Sequence, residues 1–382
     1  MCKVLRSFMP VGQGSFCVEQ FVFDDERINL VFDCGSSTDM ELLHNNIDDI
    51  FQTEKTIHAV FISHLHEDHI NGLEYLLSKY RVKNIYFPLL NNNEKILTLV
   101  NYLYSKPSHK VEDFFFRFIS NPREYLNRND LLTNIYYVLP SDHEPLEYRE
   151  QFYDLIESGK NVAKDIKEIS SNSEGWEIVP FNFRNKERTI DLTKKLEKVF
   201  IKHFPYVDIH IDENFDLGYY WQNYPCIRYD IKKAYEYTKG SLNTNSMVVF
   251  SGTTGNARQN IYSSRSHNCY RSNIYCRRCY KSGCLYTGDY DCSGKNKFNE
   301  LIKAYASYWD SIGCITIPHH GSQHNYNKQL TENEKIFCII SASMSNNYKH
   351  PHALVLRDLL NKRILTFWVN ENIYSKVQTY IY

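Results

Sequence analysis

The segment from Ser63 to Leu73, which reads SHLHEDHINGL, constrains the fold of this chain more than any other feature. It follows an apolar run, Thr56–Ser63, that predicts a buried β-strand. Imidazole and carboxylate groups are the ligands that borderline cations such as zinc prefer, and open α/β sheets place their sites at the carboxyl ends of strands. The segment therefore predicts a metal site at the end of a strand. The four candidate ligands are His64, His66, Asp68 and His69.

The flanking sequence predicts alternating strands and helices. Lys3–Phe8, Ser15–Phe23 and Ile28–Phe32 are rich in Val, Phe and Ile and predict strands. Asp39–Phe51 predicts a helix that Asp39 caps. Between residues 91 and 240, helix-like stretches near 94–104, 146–158 and 190–202 surround a predicted strand at Trp176–Phe183.

Composition excludes several classes of protein. The chain has 382 residues and a formal net charge of −1, which argues against a protein that coats nucleic acid with its whole surface. No run of about 18 apolar residues occurs, so we expect no membrane span. The 11 cysteines are odd in number and accompany no export signal, so we expect reduced thiols and a cytoplasmic location.

Seven short motifs occur in one order along both ends of the chain. They are VGQG (11–14), FDCG (32–35), SHLHEDHINGL (63–73), NTNSMVV (243–249), YTGDYD (286–291), PHHGS (318–322) and YKHPH (348–352). The HxHxDH pattern within the third resembles the signature of the metallo-β-lactamase superfamily. The order of all seven resembles the hydrolase domain of the DNA-uptake protein ComEC and its stand-alone relatives.

The resemblance implies an α+β fold, an αββα sandwich with a metal site at its edge. We expect a single metallo-β-lactamase-fold domain over residues 1–382, with its core at about 1–90 and 241–382. A large, mostly helical insertion would occupy 91–240 and offers a surface for a protein partner. A second, basic and cysteine-rich insert would occupy 252–284.

The resemblance also implies a ligand set for two divalent metal ions, zinc or manganese. His64 and His66 would hold one ion. Asp68 and His69 would hold the second, and Asp289 would bridge both.

One histidine of PHHGS would complete the second site, and we favour His319 over His320 because relatives with a similar motif ligate through its first residue. His320 and His350 would lie beside the metals and, with Asp68, are the candidate catalytic residues. Many relatives supply a further histidine ligand, and the sequence leaves its identity open with a slight preference for His143. The candidates are His109, His143, His203, His210 and His267.

The implied reaction is hydrolysis of a phosphodiester by a hydroxide that bridges the two ions. We expect DNA or RNA as the substrate. Two alternatives remain open: a hydrolase of a small phosphodiester or lactone, and a partner-dependent nucleic-acid-binding module whose metal site is quiescent.

The insert 252–284 carries six Lys or Arg residues and no Asp or Glu. Its cations are interleaved with tyrosines, a composition that suits single-stranded nucleic acid. The candidate nucleic-acid-binding residues are Arg271, Arg277, Arg278 and Lys281. Four cysteines could bind a structural zinc ion, although a surface loop with reduced thiols is the alternative. They are Cys269, Cys276, Cys279 and Cys284.

Overall fold

The structure, a computed structural model, describes most of the chain. The described residues are 3–23, 27–52, 54–106, 108–141, 154–166, 169, 175–183, 186–207, 209–211, 215–237, 246–263, 280–333 and 335–381. The chain divides into two compact units. The first comprises Met1–Pro88, Leu132–Phe183 and Asn245–Tyr382, and the second comprises Leu89–Leu131 and Arg184–Thr244. None of the described helices has the length and apolar character needed to span a membrane.

The first unit contains every strand that the structure describes. These are β1 (Lys3–Phe8), β2 (Gly14–Val22), β3 (Arg27–Ser36), β4 (Thr56–Ile57), β5 (Ala59–Phe61), β6 (Arg81–Val82), β7 (Asn84–Pro88), β8 (Asn134–Val138), β9 (Leu155–Ile156), β10 (Trp176–Phe181), β11 (Val248–Thr253), β12 (Arg258–Ser263), β13 (Tyr280–Lys281), β14 (Gly283–Tyr286), β15 (Ile312–Thr316), β16 (Phe337–Ser341), β17 (Leu365–Val369) and β18 (Val377–Ile381).

The helices divide between the two units. The first unit holds α1 (Met40–Phe51), α2 (Glu67–Ile70), α3 (Leu73–Lys79), α10 (Lys295–Ala304) and α11 (Ala353–Asn361). The second unit holds α4 (Asn92–Ser105), α5 (Phe114–Ser120), α6 (Pro122–Arg128), α7 (Lys186–His203), α8 (Leu217–Asn223) and α9 (Arg228–Glu236).

Two sheets form the centre of the first unit. One has the strand order β13-β12-β18-β1-β2-β3-β5-β7-β8-β9, and the other has the order β10-β11-β14-β15-β16-β17. Apolar side chains from both sheets make one buried cluster, in which the Phe32 and Tyr286 rings stack with centroids 3.9 Å apart. A second cluster joins the other face of the smaller sheet to α10 and α11, through residues such as Leu301 and Leu359. Helix α1 contacts β3 of the larger sheet, so the layers confirm the predicted αββα sandwich.

Local sequence signals account for the elements near the site. Strand β1 has the predicted bounds, and Asp39 caps α1 by accepting hydrogen bonds from the backbone amides of Glu41 and Leu42. The predicted strand Thr56–Ser63 is interrupted at His58, whose Nδ1 accepts a hydrogen bond from the Asn29 amide. As a result β4 pairs with β6, whereas β5 pairs with β3 and β7.

The span 91–240 does not form one body in the structure. Strands β8, β9 and β10 belong to the sheets of the first unit, because β8 pairs with β7 and β10 pairs with β11. Residues 155–156 form a strand where the sequence indicated a helix over 146–158, and 142–153 lie outside the described residues. The predicted helices near 94–104 and 190–202 are confirmed as α4 and α7.

The regular secondary structure among the described residues of the second unit is helical. Helix α4 contacts α7 and α9, and α5 contacts α6. The aromatic run of α5 is buried, with the Phe118 ring fully enclosed. Burial of these aromatic side chains supplies the core of this unit.

Candidate metal centre

The candidate ligands converge because several strands end at one edge of the sandwich. Strands β3 and β5 run parallel with Phe32 opposite Phe61, so the segments that follow them lie side by side. The segment after β5 leads to His64 and then to α2. In the smaller sheet, β14 and β15 also run parallel, and the turns after them carry Asp289 and the pair His319–His320. Carboxyl ends of parallel strands are where such sheets place their sites.

Two overlapping groups of side chains could each hold a cation. The first consists of His64, His69 and Asp289, and the second of Asp68, His69 and His320. Asp289 lies between the histidines, with Oδ2 3.5 Å from His64 Nε2 and Oδ1 3.3 Å from His69 Nε2. His320 Nε2 lies 3.2 Å from Asp68 Oδ2 and 3.7 Å from Asp289 Oδ1. The two groups are therefore contiguous.

These residues fit a divalent metal ion. The Nε2 atoms of His64, His69 and His320 are buried, and none has a hydrogen-bond partner among the described residues. Buried polar atoms in native proteins almost always have a partner, so three such nitrogens facing two carboxylates call for a ligand. Imidazole nitrogen and carboxylate oxygen together match zinc and similar borderline cations.

Each of these imidazoles is oriented from behind through Nδ1. His69 Nδ1 lies 2.7 Å from Asp33 Oδ2, and His320 Nδ1 lies 2.7 Å from the carbonyl oxygen of Ser341. The hydroxyl of Ser63 donates to Asp33 Oδ2, so it is left to accept from His64 Nδ1 at 3.0 Å. A proton on Nδ1 leaves the lone pair on Nε2, the arrangement that metal-binding histidines require.

Asp33 supports this loop from an unusual backbone conformation. Its φ is +54°, which turns the carboxylate toward the loop, where Oδ1 also accepts from the Ser63 amide at 2.7 Å. Residues held in the left-handed region cluster at functional sites, because the surrounding contacts must compensate for the strain. The Asp33 carboxylate therefore both supports the backbone of the loop and orients His69.

Gly35 lets the ligand loop approach this turn. A Cβ atom at position 35 would lie 2.4 Å from the carbonyl carbon of Asp68 and 2.5 Å from the amide nitrogen of His69. Both distances are shorter than any real contact, so only glycine allows the backbone of the ligands to pack here.

Burial and charge set the protonation of the cluster in opposite directions. Burial lowers the pKa of His64 well below its usual value, and the neighbouring His69 adds to that effect. Burial also disfavours the charged form of His69, but attraction to Asp33 and Asp289 outweighs it and raises the pKa well above normal. Burial alone would raise the pKa of Asp289, yet the surrounding histidines, His319 first, hold it well below normal. The Asp289 carboxylate is therefore ionised at neutral pH.

In the PHHGS motif the sequence favoured His319 as the metal ligand, whereas the structure places His320 beside the other candidate ligands. The structure brings His320 to Asp68 and His69, whereas His319 Nε2 lies 3.5 Å from Asp289 Oδ2. The reason is the backbone, because both residues are left-handed, with φ of +49° and +55°. This turn buries the His320 side chain and leaves that of His319 about one quarter exposed. His319 is held separately, with Nδ1 2.7 Å from Asn325 Oδ1.

His66 and His350 lie beside the two groups and belong to neither. The His66 ring is 4.6 Å from the His64 ring, and the His350 ring is 5.3 Å from the His319 ring. Burial, together with the charge of His319 and His320, lowers the pKa of His350 to about 4. At neutral pH this imidazole is uncharged.

The remaining predicted residues lie elsewhere or outside the described part of the chain. His109 and His203 belong to the second unit and have partners there, the Tyr102 carbonyl and the Asp230 carboxylate. His210 is in the same unit. Those that fall outside the described residues are His143, His267, Arg271, Arg277, Arg278, Cys269, Cys276 and Cys279.

Cys284 and Lys281 are described, and the structure separates them. Cys284 is fully buried in β14 within the cluster between the two sheets, so it is a core side chain and not part of a loop site. Lys281 lies on β13 with its side chain partly exposed. The zinc hypothesis therefore loses one of its four proposed ligands.

We expect Asp33→Asn to weaken metal binding about 10- to 100-fold, the usual effect of losing a residue that orients a ligand. The amide of asparagine can donate to His69 Nδ1 and so favours the tautomer whose Nε2 carries the proton. Competition with a chromogenic chelator measures the affinity. Asp39→Asn is the matched control, because Asp39 caps α1 and contacts no candidate ligand. Equal metal affinity in wild type and Asp33→Asn would contradict this orienting role.

Comparison with known proteins agrees with this architecture. Residues 18–122 match the family model described as the metallo-beta-lactamase superfamily. The chain is 34% identical over 84 residues to ribonuclease J of Mycoplasma genitalium, and the match covers 20% of this chain and only 14% of that protein. The αββα sandwich and the matched segment identify a metallo-beta-lactamase fold.

Solved structures resemble the chain along most of its length at low sequence identity. Unliganded yeast PDE1 is 8% identical with a TM-score of 0.44, covering 98% of this chain and 99% of that one. The metallo-beta-lactamase fold protein YhfI from Bacillus subtilis is 9% identical with a TM-score of 0.40, and the match covers 98% of each chain. A diphosphatase from the PhnP family is 9% identical with a TM-score of 0.39, covering 99% and 97%.

Proposed function

We propose that this protein is a metal-dependent phosphodiesterase that cleaves nucleic acid. The observation that carries the proposal is the convergence of three buried Nε2 atoms without hydrogen-bond partners on the carboxylates of Asp68 and Asp289. The partial match to ribonuclease J supports nucleic acid as the substrate class.

One imidazole nitrogen can bind only one ion, so the two groups cannot both use His69 Nε2. Assigning His69 to the group with Asp68 and His320 leaves His64 and Asp289 for the other ion. His66, whose ring lies against that of His64, would complete that set. This division keeps the pairs implied by the HxHxDH motif and replaces His319 by His320.

When bound, divalent ions supply a hydroxide nucleophile at neutral pH and neutralise charge on the phosphoryl oxygens. Residues of the chain orient the ligands and set their protonation. Asp33 and the Ser341 carbonyl hold the ligand imidazoles in place, and Asp289 remains ionised among the histidines. His350 is uncharged at neutral pH, so one nitrogen of its ring carries a proton that it would donate in a hydrogen bond to a phosphoryl or leaving-group oxygen.

The register of the larger sheet supports a polynucleotide substrate. Ser263, the last residue of β12, pairs with Val377, which pairs with Phe8 of β1. This row of residues paired across neighbouring strands continues through Cys17 and Phe32 to Phe61. Phe61 lies two residues before the start of the segment 63–73, which carries the candidate ligands. Strand β12 therefore ends at the edge of the sheet at which the ligands lie, and the chain enters the rest of the basic insert from that point. A chain of phosphates bound by that insert would pass this edge.

The insert yields a testable expectation. Replacing Arg277, Arg278 and Lys281 together by alanine should weaken polynucleotide binding and reduce its salt dependence, by about 0.7–0.9 in the log–log slope for each phosphate that is no longer bound. Fluorescence anisotropy across a salt series measures both quantities. Replacement of three exposed lysines without a predicted role, Lys194, Lys198 and Lys335, is the matched control. An unchanged slope in the first variant would show that the insert does not bind the substrate.

A substrate panel tests the proposed function directly. Purified, metal-loaded protein is incubated with single- and double-stranded DNA and RNA and with bis(p-nitrophenyl) phosphate. We expect cleavage of at least one polynucleotide and its loss on chelation. Turnover of the small diester alone would favour the small-substrate alternative, and binding without cleavage under all metals would favour the quiescent binding module.

A further inference from the structure

An exposed tyrosine stands next to the candidate metal centre and takes no part in holding the metal ligands. Tyr348 lies in the segment between β16 and α11, two residues before His350. Its side chain is 71% exposed. An exposed ring near the site has a face that is open to a flat ligand.

The segment that carries Tyr348 is held rigidly by Asn346. The side-chain amide of Asn346 donates to the carbonyl oxygens of Ser343 and His350, and its Oδ1 accepts from the His350 amide at 2.9 Å. The hydrogen bonds of Asn346 therefore close a backbone loop that contains Asn347, Tyr348 and Lys349. The backbone that carries Tyr348 is therefore held by hydrogen bonds before any ligand binds, which reduces the entropy that binding would cost.

A second contact anchors the start of the same segment. The Glu371 carboxylate, in the turn after β17, accepts from the Met344 amide at 3.0 Å and from the Ser343 hydroxyl at 3.2 Å. The Glu371 carboxylate is thus engaged by donors of the protein. The exposed cation of the segment, Lys349, forms no ion pair among the described residues.

A row of rings connects Tyr348 to the ligand cluster. The Tyr348 ring centroid is 5.9 Å from that of His350 with an interplanar angle of 29°, and His350 is 6.5 Å from His320 at 23°. Each ring is inclined by less than 30° to the next, and the row runs outward from the buried His320 to the exposed Tyr348. A flat group stacked on Tyr348 would lie in the orientation of this row.

We propose that Tyr348 stacks on an unpaired nucleobase next to the phosphodiester that is cleaved, so that the substrate is single-stranded nucleic acid. Stacking requires the face of a base, which a duplex buries against its neighbouring base pairs, and it tolerates any sequence because every base has such a face. Lys349 supplies the cation that a neighbouring phosphate requires. This inference rests on the proposed function and adds the strandedness of its substrate.

The experiment uses single-stranded oligonucleotides that carry 2-aminopurine and a phosphorothioate backbone, bound to the metal-loaded full chain. Stacking on tyrosine quenches 2-aminopurine, so binding and stacking are read from one titration. We expect Tyr348→Leu to weaken binding about 5- to 150-fold, the loss of one base stack, and to abolish the quenching. Tyr348→Trp should retain both.

Tyr229→Leu is the matched control. Tyr229 is 65% exposed and has Lys233 Nζ 5.5 Å from its ring centroid, so it resembles Tyr348 in exposure and in its neighbouring cation, but it belongs to the second unit. We expect this variant to bind as wild type does. Thermal unfolding of each variant verifies that the fold is kept.

Two failures can be told apart. If wild type cleaves single strands but Tyr348→Leu binds and quenches as wild type does, the stacking inference is wrong and the proposed function stands. If wild type cleaves no polynucleotide yet quenches through Tyr348, the proposed function is wrong and the stacking interaction stands. Equal cleavage of a perfect duplex and a single strand by wild type would overturn the inference.

Discussion

Replacement of Asp289 by asparagine is expected to reduce phosphodiester hydrolysis by more than about 100-fold, beyond the effect of losing a residue that merely orients a ligand. Asp289 lies within 3.7 Å of the Nε2 atoms of His64, His69, His319 and His320, so its negative charge is shared by the whole cluster. An amide of the same shape keeps the packing but removes the ionised oxygen that both groups face. Metal content per chain should fall in parallel, as measured by elemental analysis of the purified variant.

Asp291→Asn provides the control for this prediction. Asp291 is two residues further along the same turn, and its carboxylate accepts from the Ser293 amide and hydroxyl and not from the cluster. We expect it to keep both activity and metal. Turnover and metal content at wild-type levels in Asp289→Asn would remove Asp289 from the site.

The largest expected effect on stability comes from Arg6, whose side chain is fully buried between the two sheets. Its guanidinium pairs with Glu19 at 2.7 Å and donates to the carbonyl oxygens of Ser251 and Ser282, each at 3.1 Å. Removing one partner of a buried ion pair leaves the other charge without compensation. We therefore expect Arg6→Met to lower the free energy of unfolding by about 3–5 kcal/mol. Chemical denaturation followed by circular dichroism measures this change.

The double variant Arg6→Met/Glu19→Leu distinguishes an uncompensated charge from poorer packing. Because replacing both partners by apolar groups is often neutral, the double variant should recover most of the stability. Arg27→Met is the surface control, since the Arg27 side chain is 49% exposed and lies 3.7 Å from Glu54. We expect this control to cost less than about 1 kcal/mol. A double variant as unstable as Arg6→Met alone would contradict the charge argument.

The sequence predicted the elements whose signals are local. Strand β1, the Asp39 cap and the loop that carries His64 to His69 all depend on patterns within a few residues, and the motif order predicted the αββα layers. The pairing of Asp33 on β3 with His69 on α2, 36 residues further along the chain, needs the parallel register of β3 and β5. The FDCG motif was the only sequence signal for this hydrogen bond, and the motif does not indicate which residue Asp33 contacts.

Backbone conformation and pairing account for what the sequence did not predict. The placement of His320, and not His319, next to Asp68 and His69 follows from two consecutive left-handed residues, which side-chain type alone does not indicate. The division of residues 91–240 follows from strands β8 to β10, which are stable only because they extend existing sheets. The short strand β9 has no pattern long enough to distinguish it from a helix.

The most direct test of the metal centre is anomalous X-ray diffraction from crystals of the metal-loaded, active protein, recorded on both sides of the absorption edge of the bound metal. We predict anomalous density enclosed by the Nε2 atoms of His64, His69 and His320 and the carboxylates of Asp68 and Asp289. Active, metal-loaded crystals whose only anomalous density lies away from these five side chains would contradict this assignment of the metal centre.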